Sequence, residues 1–439
     1  MAFRARDLIT LVVSALLVVA HVGPSAAQDA ARPPQGPFPV ATDARVGGDD
    51  GMTRFVMDFS RKVELRAFTL ADPYRVVIDL PQITFNLPPK TGDSGRGLVK
   101  AFRFGLVMQG GSRIVIDVGK PVRIEKAFAL EAQAGQPARV VVDLAATDRD
   151  SFMKTAAVEK SAMRTAATNP TSAVEERPPE LRHSGSDPRP IVVVDPGHGG
   201  IDNGTVASTG IMEKQIVLDF AMLLRDQLEA SGKYRVVMTR TDDTFIPLAD
   251  RVRMARIRQA SLFISIHADA LKKGEGEAQG ATVYTLSENA SDAEAARLAE
   301  DENRADVIAG IDLSHESTDV ADILIDLAQR ETKAFSMRFA KSVVGSMRKV
   351  ARMHKNPMKS AGFRVLKAPD VPSVLIELGY VSNEADLKQL VSGNWQAKTA
   401  GAIVQSVDAF FGTRVAGAGA GTAPGAAVAP ATAPGRAGR

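Results

Sequence analysis

Three apolar runs in this chain end in side chains that a hydrophobic core does not readily accept. "IVVVDPGH" closes at His198, "LFISIH" at His267 and "SVLIE" at Glu377. A fourth such residue, Glu213 in "GIMEKQ", opens a helical stretch fifteen positions after His198. Two imidazoles and one carboxylate form a ligand set typical of catalytic zinc, which keeps a fourth position for water. Magnesium and calcium favour oxygen donors. His198, Glu213 and His267 are therefore candidate ligands for one zinc ion; for a lone histidine at a strand end, the alternative is a hydrogen-bonded structural role. Glu377 must be paired or useful, because burying an unpaired carboxylate costs several kcal/mol. Its chemical reading is a general base for the metal's water that later donates the proton to a leaving amine. The alternative is an ion pair with Arg364 or Lys367.

The elements that must position these residues alternate between strand and helix patterns. "PIVVVD" leads to a helix from Glu213 to about Ser231, with Ile216, Val217, Phe220, Leu223, Leu224 and Leu228 at helical spacing. "YRVVMTR", "SLFISIH" and "ATVYTL" read as strands, and "PLADRVRMARIRQA" as a helix opened by Pro247. A long helical region follows, then the short apolar runs "RVLK" and "SVLIEL" and two closing helices. Such alternation predicts an α/β domain over 190–414 with a mostly parallel sheet flanked by helices. Sites in such sheets form where carboxyl ends of strands open into a crevice. The Gly-rich "GGIDNGTVASTG" can then fold Glu213 back over the strand end and let His198 face a cation.

The rest of the chain frames this domain. Arg4 and Arg6, the run "LITLVVSALLVVA" and Ser25-Ala26-Ala27 read as a secretory signal peptide over 1–27. The run is too short for a retained spanning helix, so no transmembrane anchor is expected after cleavage. A Pro-rich linker occupies 28–39. Over 40–145 a pattern recurs four times, "RFVMDF", "YRVVIDL", "SRIVIDV" and "ARVVVDL", each entered by arginine and left through aspartate. With turn residues between the runs, this predicts a smaller all-β, sandwich-like domain, read as a binding module. Residues 146–189, including His183, read as a flexible linker, and 415–439 as a disordered Ala/Gly/Pro tail. The chain has no cysteine, which excludes disulfides and thiolate chemistry, and a formal charge of only +3, which argues against nucleic acid as a partner.

The segments "VVDPGHGGIDNG", "MEK", "TRTDDTFIPLADRVRMA", "SIHADA", "GATVYTLS" and "SVLIELGYVSN" run in order from Val193 to Asn383. Together they resemble the zinc-dependent N-acetylmuramoyl-L-alanine amidases of bacterial cell-wall turnover. The resemblance implies one Zn2+ held by His198, Glu213 and His267, Glu377 as the catalytic glutamate, and zinc-hydroxide hydrolysis of the bond between N-acetylmuramic acid and L-alanine. Asp269 departs from the family, where many members carry asparagine, and is expected to leave the ligands untouched. "DPYRVVIDLP" gives the β unit a weaker likeness to the amidase N-terminal domain of periplasmic members, implying peptidoglycan binding and recruitment to the septum; the signal peptide, whose two arginines are not adjacent, points to export by the Sec route.

Within 291–329, Ser291 and Glu294 are spaced as a capping box, and Val320, Ile323, Leu324 and Leu327 form an apolar stripe. In septal members of the family a segment here covers the active site until an activator of the division machinery binds. The resemblance places Glu300 or Glu302 to take the open zinc position. His315 is read as solvated, and His354 as a candidate neighbour of the crevice. Competing readings are a zinc peptidase cutting within the stem peptide and a catalytically silent wall-binding scaffold.

Overall fold

The computed structural model describes residues 36–107, 110–168, 187–269, 279–311 and 323–419. The expected signal peptide, residues 28–35, His183, His315, Val320 and residues 420–439 lie outside them.

The N-terminal unit is built from β1 (Val40–Gly48), β2 (Met52–Phe59), β3 (Arg66–Leu70), β4 (Arg75–Pro81), β5 (Thr84–Phe85), β6 (Val99–Val107), β7 (Gly111–Val118), β8 (Val122–Leu130) and β9 (Ala138–Ala146). One sheet runs β5-β1-β2-β9-β8 and the other β6-β7-β4-β3. Side chains alternate across a strand, so Val76, Ile78, Ile114 and Ile116 turn inward and pack with Phe55, Met57, Val140 and Val142 of the opposite sheet. The alternate positions put Arg75, Val77 and Asp79 of β4, with Arg113, Val115 and Asp117 of β7, on the outer face. The repeated arginine and aspartate thus share one face and pair across strands. Arg113 grips Asp79 at 2.6 and 3.0 Å, and Arg54 grips Asp143 at 2.6 and 2.9 Å.

The segment expected as a flexible linker instead carries α1 (Arg149–Thr168). Asp148 caps it by accepting from the Ser151 amide, and Phe152 is buried against Tyr74 with ring centroids 4.9 Å apart. Glu159 accepts hydrogen bonds from the amide and hydroxyl of Thr69. An Ala-rich sequence favours helix, and one buried aromatic anchor with one half-buried acceptor docks it.

The C-terminal domain follows with β10 (Ile191–Pro196), α2 (Glu213–Ala230), β11 (Arg235–Met238), β12 (Thr244–Phe245), α3 (Leu248–Ile257), β13 (Leu262–His267) and β14 (Ala281–Leu286). Then come α4 (Ala293–Asn303), α5 (Ala305–Ile308), α6 (Ile323–Met347), β15 (Met353–Ala361), β16 (Ser373–Glu377), α7 (Glu384–Leu390) and α8 (Gly393–Gly419). The sheet order is β11-β10-β13-β16-β14-β15, parallel throughout except where β14 meets β16. Phe220 and Leu224 of α2, Phe339 and Val343 of α6, and Ile403 and Val407 of α8 cover one face. Leu248 and Ala255 of α3 and Leu298 and Ala299 of α4 cover the other, in a cluster that also takes in Phe68, Val77 and Val115 of the β unit. The two units are further joined by β12, which pairs in parallel with the edge strand β6.

Three local expectations are corrected. "RVLK" forms a 3-10 turn over Arg364–Leu366, and the edge strand is β15, whose polar residues conceal it. The cap of α4 is Asp292, which accepts from the Ala295 amide, because Ser291 is engaged by Ser360 of β15. The expected tail is still helical in backbone to Gly419.

Candidate active site

β10, β13 and β16 are adjacent, so their carboxyl ends open side by side. His267 and Glu377 are direct partners across the β13–β16 ladder, and His198 lies two residues past the end of β10. The chain turns sharply there: His198 itself has φ 57°, a conformation that non-glycine residues adopt only when their surroundings hold it. Gly197 is required by proximity, since a Cβ on it would lie 2.3 Å from Cε1 of His267. α2 starts beside this turn and presents Glu213 from its first residue.

Donor atoms of His198, Glu213 and His267 all lie within 4.8 Å of one another, and all three residues are buried. Oε1 of Glu213 stands 3.0 Å from His198 Nε2 and 3.6 Å from His267 Nδ1. Neither nitrogen has a hydrogen-bonding partner among the described residues. Unpaired buried polar atoms are rare and demand an explanation. Two nitrogens and an acidic oxygen facing one point supply it, because that donor set fits a divalent cation of zinc's type.

Charge argues the same way. Burial alone would drive His198 toward its neutral form, but the carboxylates of Glu213, Asp202 and Glu302 outweigh it and hold the pKa well above the usual value. Burial works to raise Glu213, which the two imidazoles nevertheless pull well below the carboxylate range. Glu377 is pushed well above that range by burial, reinforced by Asp269, Glu213 and Glu302. So many acids around two imidazoles leave the pocket short of positive charge.

Glu377 is fully buried, with Oε2 accepting from the Asp269 amide at 3.0 Å and Oε1 without a hydrogen-bonding partner among the described residues. The alternative pairing with Arg364 or Lys367 is not what holds it. Of the two glutamates weighed on α4, Glu300 is exposed, while Glu302 enters the site with Oε2 3.2 Å from His267 Nδ1 and 3.8 Å from His198 Nε2. The cavity lined by His198, His267 and Glu302 retains ≈ 10 Å³, about the room of one water. His354 lies 3.7 Å from Glu294 at the start of α4.

Several supporting residues escape a reading of the sequence alone. Asp202 Oδ2 lies 3.0 Å from His198 Nδ1, leaving Nε2 to face the donor cluster. Arg251 donates to the carbonyls of Pro196 and His198 and to Asp195, and Asp195 also accepts from Thr239 and Ser265. Arg240 donates to the carbonyls of Pro196 and Gly197; burial beside Arg251 lowers its pKa to about 10. Both arginines lie in "TRTDDTFIPLADRVR", where their strand-helix context is visible but their target, the turn before His198, is not.

A family model described as N-acetylmuramoyl-L-alanine amidase matches residues 192–409, and an AMIN domain model matches residues 43–144. N-acetylmuramoyl-L-alanine amidase AmiC of Escherichia coli O6:H1 is 33% identical over 374 residues, covering 84% of this chain and 88% of its own length. AmiC of Neisseria meningitidis serogroup B is 33% identical over 386 residues, covering 86% and 91%. AmiA of Escherichia coli K12 is 38% identical over 234 residues, covering 53% and 79%. Similarity that extends along nearly the whole of two such enzymes, with a metal-capable cluster at its strand ends, leaves one conclusion: this chain belongs to the N-acetylmuramoyl-L-alanine amidases, with an AMIN domain ahead of the amidase domain.

Proposed function

We propose that this peptidoglycan amidase works in the periplasm with one zinc ion, acts in daughter-cell separation, and rests in an autoinhibited state until an activator binds. An N-terminal signal peptide exports it, and the AMIN domain, over 40–145, holds it to the wall. His198 through Nε2, His267 through Nδ1 and Glu213 would hold the ion, and Glu377 would be the catalytic residue. When bound, zinc polarises the scissile carbonyl and lowers the pKa of a coordinated water to about 7.

The protein's own groups do the rest. The Asp269 amide orients the Glu377 carboxylate through Oε2, leaving Oε1 to take a proton from the attacking water. Glu377 then returns that proton to the departing amine of L-alanine. A carboxyl with a raised pKa suits both halves of this cycle. Glu302 takes the position that the substrate carbonyl needs, and α4 closes over the pocket. A partner that prefers the open form activates by population shift.

The observation that carries this reading is the convergence on Glu213 of two buried imidazole nitrogens, neither satisfied by a hydrogen bond among the described residues. It is tested by incubating the purified chain with sacculi and identifying released fragments by mass spectrometry, with and without chelator. Intact stem peptides, lost with chelator and with Glu377→Gln and increased by Glu302→Gln, support it. Fragments cut within the stem indicate a peptidase. Chelator-insensitive binding with no release, even from Glu302→Gln, indicates a scaffold.

A further inference from the structure

The outer face of the β6-β7-β4 sheet meets the stretch that follows Glu302. Arg75 Nη1 donates to the Val307 carbonyl at 2.6 Å, and Arg103 Nε to the Ile308 carbonyl at 2.7 Å. Arg113 Nη1 donates to the carbonyls of Ala309 and Gly310, each at 3.1 Å. Four consecutive carbonyls, at and just past the end of α5, are thus taken by three arginines of another domain, that of Val307 in addition to the Gly310 amide it accepts.

Two of these arginines are braced by aspartates of their own sheet. Asp79 receives Arg113 through two nitrogens, and Asp117 receives Arg103 the same way at 2.6 and 3.0 Å. Between them, Val77 and Val115 are fully buried in the same cluster as Ala295, Leu298, Ala299, Ala305 and Ala309. Gly310 has φ 68°, and a Cβ there would stand 3.0 Å from Val115 and 3.1 Å from Val77. The surface is closed and mixed, with apolar contacts in the middle and charge-assisted hydrogen bonds at the rim.

We propose that this face of the AMIN domain is the second jaw of the inhibitory lock: it grips residues 307–310 and so holds Glu302, five residues upstream, in the active site. The amidase domain supplies the first jaw. Glu294 accepts from Lys359 and Tyr380, Asn303 bonds the backbone of Gly362 and Arg364, and Asp306 accepts from the Leu248 amide. Withdrawing Glu302 therefore requires the Val307–Gly310 grip to open, and the arginine face is unavailable to any other ligand while it is closed. The inference rests on the reading of Glu302 as an occluding group.

The test uses the full zinc-loaded chain in three forms. Arg103→Gln with Arg113→Gln removes the grip from the AMIN side. Gly310→Leu disturbs it from the segment side and leaves the arginine–aspartate pairs intact. Glu302→Gln removes only the occluding charge. Amide hydrogen exchange of residues 293–310 and stem-peptide release from sacculi are measured for each. The expected result is exchange at 303–310 at least about tenfold faster, with faster release, in both grip variants. Unchanged exchange and release in both, with release increased by Glu302→Gln, overturns the lock and leaves the occlusion reading standing. Faster exchange with no gain in release from any of the three leaves the grip in place and overturns the occlusion.

Discussion

Asp202 offers the sharpest test of how the site is built. Its carboxylate is buried 3.0 Å from His198 Nδ1 and also accepts from the Gly204 amide. A metal on Nε2 requires the proton on Nδ1, so Asp202 must fix both the tautomer and the ring plane. A hydrogen bond involving a charged group contributes about 1.5–3 kcal/mol, which at about 1.4 kcal/mol per decade is roughly 10–150-fold in affinity. Loss of an outer partner of a metal histidine costs about 10–100-fold in general, so the two routes agree. Asp202→Ala is therefore expected to weaken zinc binding by about 10–100-fold, and Asp202→Asn, which keeps an acceptor oxygen, to fall at the lower end. Competition against a chromophoric chelator at fixed pH measures both, with circular dichroism as a check on folding. An Asp202→Ala protein that folds normally and binds zinc within about threefold of the parent refutes the reasoning.

Other expectations follow from the same geometry. Asp195→Ala strands the buried Arg251 guanidinium and should cost about 3–5 kcal/mol, lowering Tm by roughly 6–20 °C in calorimetry; a fall below about 2 °C contradicts it. Asp269→Asn removes a charge that helps hold the Glu377 pKa up. With Glu377 in the proposed role of base, the acid limb of the kcat/KM profile should move to lower pH, and a limb that stays or rises counts against this. Gly197→Ala forces a methyl into the His267 ring; zinc affinity and turnover should fall together, and unaltered affinity by the chelator assay argues against the close approach.

The parts of the molecule legible in the sequence were those with local signatures. His198, His267 and Glu377 stand at or just past the ends of apolar runs, and the parallel sheet brings such ends together wherever they lie along the chain. Glu302 was separable from Glu300 by periodicity alone: Ala295, Leu298, Ala299 and Glu302 recur at i, i+3, i+4 and i+7 and are all buried. The AMIN runs place arginine and aspartate four apart, hence on one face, but which strand answers which depends on register. Asp195, Arg251 and Arg240 were hidden for a different reason. Their partners are backbone carbonyls of a turn far away in sequence, and a carbonyl leaves no trace in residue type. α1 escaped because a single anchor, Phe152, replaces the stripe that marks an amphipathic helix. β15 escaped because it is an edge strand rich in polar residues.

α1 also sets a leash. Were residues 147–190 wholly extended, they could separate the two domains by roughly 150 Å. With α1 folded back on the β unit through Phe152 and Glu159, its 20 residues are withdrawn from that span, which shortens the possible reach by roughly 70 Å. An AMIN domain bound to the wall would thus confine cutting to a small disc around its own anchorage. A longer patch of wall would have to be cleared by repeated landings, never by one tethered sweep.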